Sequence, residues 1–305
     1  MDRRQLFAAA VAGAAAIATA RAAKSDGSES VHPVHRTWTE TRDGTRLFVR
    51  EWGPADGPSV VLAHAWALSS DMWERQVLAL GGAGFRAVAF DRRGHGRSDV
   101  PASGYDLDTM ADDLAQILED RDLRNVMLVG HSMGGAEVLR FAARHGTDRI
   151  GRVALVAPMT PFLTATADNP LGLPAEIVTA TEAHWLADFP GWVEANKLPF
   201  FVESTSSATM NWLAWTMLAT PLSVALASFR ALIGTDLRPG LAGLDRPTLV
   251  IHGDRDVSAP LEITGRPTAA GIPGAELRIY EGAPHGLFIT HADRLNQDLI
   301  RFAEA

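Results

Sequence analysis

Short apolar runs recur along the chain. Residues 60–63, 86–90, 125–129, 152–157, 247–251 and 276–280 are dominated by Val, Ile, Leu, Ala, Met, Phe or Tyr, and several end against Gly, Asp or His. Strands buried on both faces read this way, because neither face meets water. Between them the period changes. In 107–118 and 136–145 apolar residues return every three or four positions, and 292–303 repeats the pattern near the C-terminus, as amphipathic helices do. An opening pair, 36–40 and 46–52, flanks Asp43-Gly44, a hairpin signal. Strands alternating with helices predict an α/β fold, a mostly parallel sheet covered by helices on both faces. Ligands of such sheets bind beyond the carboxyl ends of the strands.

The alternation stops between 159 and 240, where the pattern is helical or irregular with no clear strand. A segment that long is no plain connection, so it predicts a helical cap over the carboxyl ends. Four of the eight tryptophans lie in it, Trp185, Trp192, Trp212 and Trp215, with Phe162, Phe200, Phe201, Met210 and Met217. Such residues either line an apolar pocket or pack the cap onto the sheet, and packing is the commoner role for any one of them. None is therefore assigned to substrate. Residues 36–158 and 241–305 remain as one core, preceded by a polar linker at 23–35 and a leader at 1–22.

The leader has a basic start containing Arg3-Arg4, an Ala-rich apolar stretch to about Ala20 and an Ala20-Arg21-Ala22 end. That layout predicts a secretory signal. Paired arginines resemble the twin-arginine signal, with Asp2 where Ser or Thr is usual and Leu6-Phe7 in reversed order. The expectation is export by the twin-arginine machinery to the periplasm or outside a bacterial cell. The apolar run is too short and Ala-rich for a stable membrane span.

Composition narrows the chemistry. The chain is 47% hydrophobic and 21% charged, ordinary for a globular enzyme. Its formal charge of −8, without a basic cluster, argues against nucleic-acid binding. The sequence contains no cysteine, which excludes disulfides, thiolate metal sites and a cysteine nucleophile. His64, His131 and His252 lack the carboxylate spacing of a zinc site, so no metal or cofactor is expected. Gly81 to Gly84 lacks the Lys and Ser/Thr of a phosphate loop and reads as a helix-ending turn. The turn containing Arg92, Arg93, His95 and Arg97 reads as a structural polar network.

One stretch is chemically specific. Gly130-His131-Ser132-Met133-Gly134-Gly135 follows the run 125–129 and precedes a helix. Strand, sharp turn with a serine, helix is the setting of a nucleophile elbow. So tight a turn pushes the serine to positive φ and brings chain close at positions −2 and +2, where only glycine fits. The alternative is a Gly-rich turn whose serine caps the helix. A nucleophilic serine needs a base and a carboxylate, in chain order Ser, Asp or Glu, His. His285 stands on a loop after the last strand. Two acids follow the strand at 247–251, and Asp256, deeper in the loop, is preferred for its reach. Asp254 reads as a turn-former bonding its own backbone.

These pieces, with His64-Ala65-Trp66, Ser70-Asp71-Met72-Trp73, Asp91-Arg92-Arg93-Gly94-His95-Gly96-Arg97-Ser98 and Ala283-Pro284-His285-Gly286, resemble the α/β-hydrolase superfamily. Within it the resemblance is to the non-haem haloperoxidase, or aryl-esterase and perhydrolase, group. It runs from about Thr37 to the C-terminus. It implies Ser132, Asp256 and His285 as catalytic residues, and backbone N–H groups of Trp66 and Met133 as an oxyanion hole. Two positions depart from the group. Ala65 replaces the usual Gly, which is tolerable at ordinary φ. Ala67 stands where members named haloperoxidases often carry Pro, which weakens the implied use of hydrogen peroxide.

The resulting expectation is a serine hydrolase that cleaves apolar or aromatic carboxylic esters or lactones through an acyl-enzyme. Its partner is a small molecule, and a homo-oligomer is compatible with the sequence. The rivals are a cofactor-free perhydrolase making peracids from carboxylic acid and peroxide, acyl transfer to an alcohol, and a hydrolase-fold binding protein with an idle triad. Epoxide hydrolase and dehalogenase chemistry fail because both need a carboxylate at Ser132.

Overall fold

A computed structural model describes residues 35–305. The predicted leader and most of the linker lie outside the described residues. Eight strands form one sheet in the order β1-β2-β4-β3-β5-β6-β7-β8. They are β1 (His35–Glu40), β2 (Arg46–Trp52), β3 (Ser59–Ala63), β4 (Arg86–Phe90), β5 (Val126–His131), β6 (Ile150–Val156), β7 (Thr248–Gly253) and β8 (Glu276–Tyr280). β1 and β2 form the hairpin expected around Asp43-Gly44, and β2 runs antiparallel to β4. Every other pairing is parallel. This is the α/β-hydrolase arrangement.

The helices of the core are α1 (Glu74–Gly82), α2 (Leu107–Asp120) and α3 (Met133–His145). The inserted segment holds α4 (Ala175–Phe200), α5 (Ser207–Leu218) and α6 (Leu222–Gly234), followed by α7 (Arg238–Leu241). The chain then closes with α8 (Gly265–Gly271), α9 (Leu287–Thr290) and α10 (Ala292–Glu304). α4 is two helices merged across a break at Asp188, just before Pro190, whose ring cannot follow a helical residue comfortably.

Strand alternation explains how one sheet supports two cores. Val61, Val88, Leu128, Val153 and Val250 point to the side covered by α2 and α3, where Met110, Leu114, Ile117, Ala136 and Leu139 meet them. Their chain neighbours Val60, Leu62, Ala87, Val129, Ala154 and Ile251 point to the other side, against Trp73, Val77, Leu80, Leu295 and Leu299. Each Val, Leu, Ile or Met among them contributes roughly 1.5–3 kcal/mol when fully buried. α2 shows the sequence logic of a helix that covers a sheet. Leu107, Met110, Ala111, Leu114, Ile117 and Leu118 share its buried stripe, and Asp106 caps it by accepting from the Thr109 N–H at 2.9 Å.

Candidate active site

Three parallel strands end where the chemistry is concentrated. β5 delivers Ser132, with φ 56° and ψ −118°, directly into α3. Its side chain makes no capping bond to that helix, so the hydroxyl is left free. The strain is over-determined by the surroundings. Ser132 donates its N–H to the Val156 carbonyl at 3.0 Å, and its own carbonyl accepts from Gly135 and Met159. A Cβ on Gly130 would lie 2.3 Å from the Gly134 carbonyl oxygen, and one on Gly134 would lie 2.3 Å from that of Ala63. The second contact presses the first turn of α3 onto the end of β3. It brings the Met133 N–H beside the loop that carries Trp66.

β7 and β8 lead to the loops that carry Asp256 and His285. His285 Nδ1 lies 2.7 Å from Asp256 Oδ2, with both side chains buried. Asp256 Oδ1 accepts from the N–H groups of Ser258 at 2.9 Å and Ala259 at 2.7 Å. Burial pushes the Asp256 pKa up, but the charge on His285 and hydrogen bonds from His252 and His285 outweigh it and hold the carboxyl well below its usual range. No hydrogen bond joins Ser132 to His285 in this structure, though both open on the same cavity. Such bonds often tighten only when substrate is present.

Asp254 behaves differently from its sequence reading. It is exposed, and it accepts from the Gly282 N–H at 2.7 Å across the gap between the loops. It thus ties the loop of Asp256 to the loop of His285 instead of bonding locally. It makes no contact with His285.

The N–H groups of Trp66 and Met133 donate to no protein acceptor among the described residues, as an oxyanion hole requires. Ala65 sits at ordinary φ, so the missing glycine costs no strain there. Ala67 is at φ 54°, in the left-handed region, where proline cannot go. His64 sets the direction of the Trp66 N–H. Its Nδ1–H donates to the Ala65 carbonyl at 2.7 Å and its Nε2 accepts from the Arg92 N–H at 2.9 Å. The Ala65 carbonyl and the Trp66 N–H belong to one trans peptide and point oppositely, so holding one directs the other. Burial, with Arg92 beside it, keeps the His64 pKa far below ordinary, so the ring stays neutral as this bonding needs.

Two further devices hold the site. The fully buried Arg92–Glu137 pair, 2.6 Å apart, links the loop after β4 to α3, and Arg92 also donates to the His64 carbonyl at 2.8 Å. His131 donates from Nε2 to the His285 carbonyl at 3.0 Å, and its ring meets that of His285 edge-on at 4.7 Å. Burial pushes the His131 pKa far down, so it also stays neutral. His64 and His131 are thus both neutral and bonded to backbone. Which loops they join was not readable, because their partners lie far along the chain.

The cavity above Ser132 measures about 320 Å³. Trp185, Trp192, Phe200, Phe201, Met210 and Met217 line it, whereas Trp212, Trp215 and Phe162 do not. Phe200 also packs beside His285, their ring centroids 5.2 Å apart, and its carbonyl accepts from the Gly286 N–H at 2.8 Å. No group of residues among those described has the makings of a metal site. No single helix there is long and apolar enough to cross a membrane.

This architecture is shared widely. The sequence model of the alpha/beta hydrolase fold family matches residues 58–292. A non-heme chloroperoxidase, CPO-A1, of Kitasatospora aureofaciens is 39% identical, over 86% of this chain and 97% of its own. A bifunctional esterase/perhydrolase of Acinetobacter calcoaceticus is 33% identical, over 87% and 98%. The crystal structure of a bromoperoxidase from Bacillus anthracis superposes with a TM-score of 0.85 at 34% identity, covering 89% of this chain and all of that one. With its sheet order, its strained serine and relatives that match nearly end to end, the chain belongs to the α/β-hydrolase family.

Proposed function

We propose that this protein is a serine carboxylic-ester hydrolase acting on esters or lactones with apolar or aromatic groups. One arrangement carries the reading: the Ser132 hydroxyl, left free by its helix, and the Asp256-backed His285 share an apolar cavity. His285 takes the proton from Ser132 as Oγ attacks the carbonyl carbon. The N–H groups of Trp66 and Met133 hold the oxyanion, and Asp256 stabilises the imidazolium. His285 returns the proton to the departing alcohol, leaving acyl-Ser132. Water, deprotonated by His285, then releases the acid.

The test is hydrolysis of p-nitrophenyl acetate, butyrate and octanoate. Ser132→Ala is expected to cut turnover on the order of 10⁶-fold. A variant that keeps its rate would overturn the assignment.

A second reading is favoured by the relatives, one of which bears the name esterase/perhydrolase. Hydrogen peroxide would replace water at the acyl-enzyme, leaving as peracid while Ser132 regains its proton. Ala67 supports hydrolysis over this route, since its φ of 54° is closed to the proline associated with peroxide use. Oxidation of bromide by acetate plus peroxide, dependent on Ser132, tests it. Export by the twin-arginine route is part of the same proposal and rests on Arg3-Arg4 and the Ala-rich run after it. Replacing both arginines by lysine should leave the protein in the cytoplasm, which fractionation would detect.

A further inference from the structure

The oxyanion turn is gripped from above as well as below. Residues Ala65 to Leu68 form a turn closed by the Leu68 N–H donating to the Ala65 carbonyl at 3.3 Å. The inserted helices hold that turn at two points. Trp66 donates from Nε1 to the Ala225 carbonyl on α6 at 2.9 Å, and its ring stacks on Trp185 of α4 with centroids 4.7 Å apart. Thr220, between α5 and α6 and 2% exposed, donates its hydroxyl to the Ala67 carbonyl at 3.0 Å. Ala67 is fully buried and holds a φ that a non-glycine residue adopts only when its surroundings enforce it.

We propose that Thr220 is a positioning residue, which acts from the cap through Ala67 to hold the oxyanion turn in its working conformation. The inference rests on the hydrolase reading above. Without the Thr220 hydroxyl the Ala67 carbonyl is buried and unpaired, and the turn gains by rotating that peptide toward another donor. Such a rotation pulls the Leu68 N–H, which shares that peptide, off the Ala65 carbonyl, and so loosens the Ala65–Trp66 peptide whose N–H faces the developing oxyanion. A donor misaimed in this way weakens transition-state binding and leaves substrate binding alone.

Thr220→Val keeps the side-chain shape and removes the donor, and Thr220→Ser keeps the donor. Both are to be compared with wild type and Ser132→Ala on p-nitrophenyl butyrate, with thermal unfolding in parallel. A phenylboronic acid, which forms a tetrahedral anion on a nucleophilic serine, serves as inhibitor. The expected result for Thr220→Val is a kcat lower by about tenfold or more, a nearly unchanged KM and boronate affinity weakened by a similar factor. Thr220→Ser should restore most of the rate. The proposal is overturned if Thr220→Val keeps wild-type kcat. It is equally overturned if kcat falls only in step with lost folded protein while boronate affinity holds. A fully active Ser132→Ala would instead overturn the underlying reading, so the two failures are distinguishable.

Discussion

At the scale of single residues, the two aspartates after β7 separate cleanly. Asp256 pairs with His285, whereas Asp254 clasps a backbone N–H between loops. Asp256→Asn should therefore lower kcat on the order of 10⁴-fold by favouring the wrong imidazole tautomer, and Asp254→Asn should lose less than about tenfold. Steady-state kinetics on both variants decides the matter. Asp256 also shapes acid stability. A carboxyl whose folded pKa lies below its unfolded value stabilises the fold at every pH above the unfolded value, and that contribution vanishes as pH falls through the folded pKa. Asp256 is such a group. Between neutral pH and the ordinary carboxylate range its contribution is intact, and below that range it is lost. Melting temperature measured from pH 7 downward should thus fall less steeply in acid for Asp256→Asn than for wild type. Both acids were visible in the sequence, and reach together with the family resemblance favoured Asp256. The real partner of Asp254 was not visible, because Gly282 belongs to a different loop.

At the scale of elements, α3 is the hinge of the site. Its first residue carries the N–H proposed as an oxyanion donor, and Gly134 lets it touch β3. Glu137, one turn on, anchors Arg92 and through it the His64 carbonyl. Gly134→Ala would place a methyl 2.3 Å from the Ala63 carbonyl oxygen and 2.9 Å from that of His64. Helix and loop must then part, and kcat should fall about 100-fold, as when one oxyanion donor is removed. Glu137→Ala leaves a buried guanidinium without its partner and should cost about 3–5 kcal/mol, read by urea unfolding. The helix itself was legible from its period and its place after a buried strand. The roles of Glu137 and Thr220 were not. The hydroxyl of Thr220 meets a carbonyl 153 residues away, and no local pattern marks such a pair.

At the scale of the whole molecule, the inserted helices line the cavity above Ser132. Trp192 lines the cavity and packs edge-on against Trp66 at 6.1 Å. Trp192→Ala should enlarge the cavity and raise the octanoate-to-acetate ratio of kcat/KM severalfold, with the triad undisturbed. An unchanged ratio would show that acyl chains lie elsewhere.

The sequence by itself determined the sheet with two covered faces and the strained serine turn, and it set the candidate acid and base in their chain order. Each is written in local pattern: period, turn chemistry, or a glycine demanded by steric crowding. It also marked the inserted segment as helical and rich in tryptophan. Only the tertiary structure decided which aromatic residues face the cavity, since helical period tells which residues share a face but not what that face meets. The tertiary structure likewise decided that His64, His131 and Arg92 serve as struts between loops. Their partners are backbone carbonyls and buried charges brought near by folding, and backbone atoms leave no signature in the order of side chains.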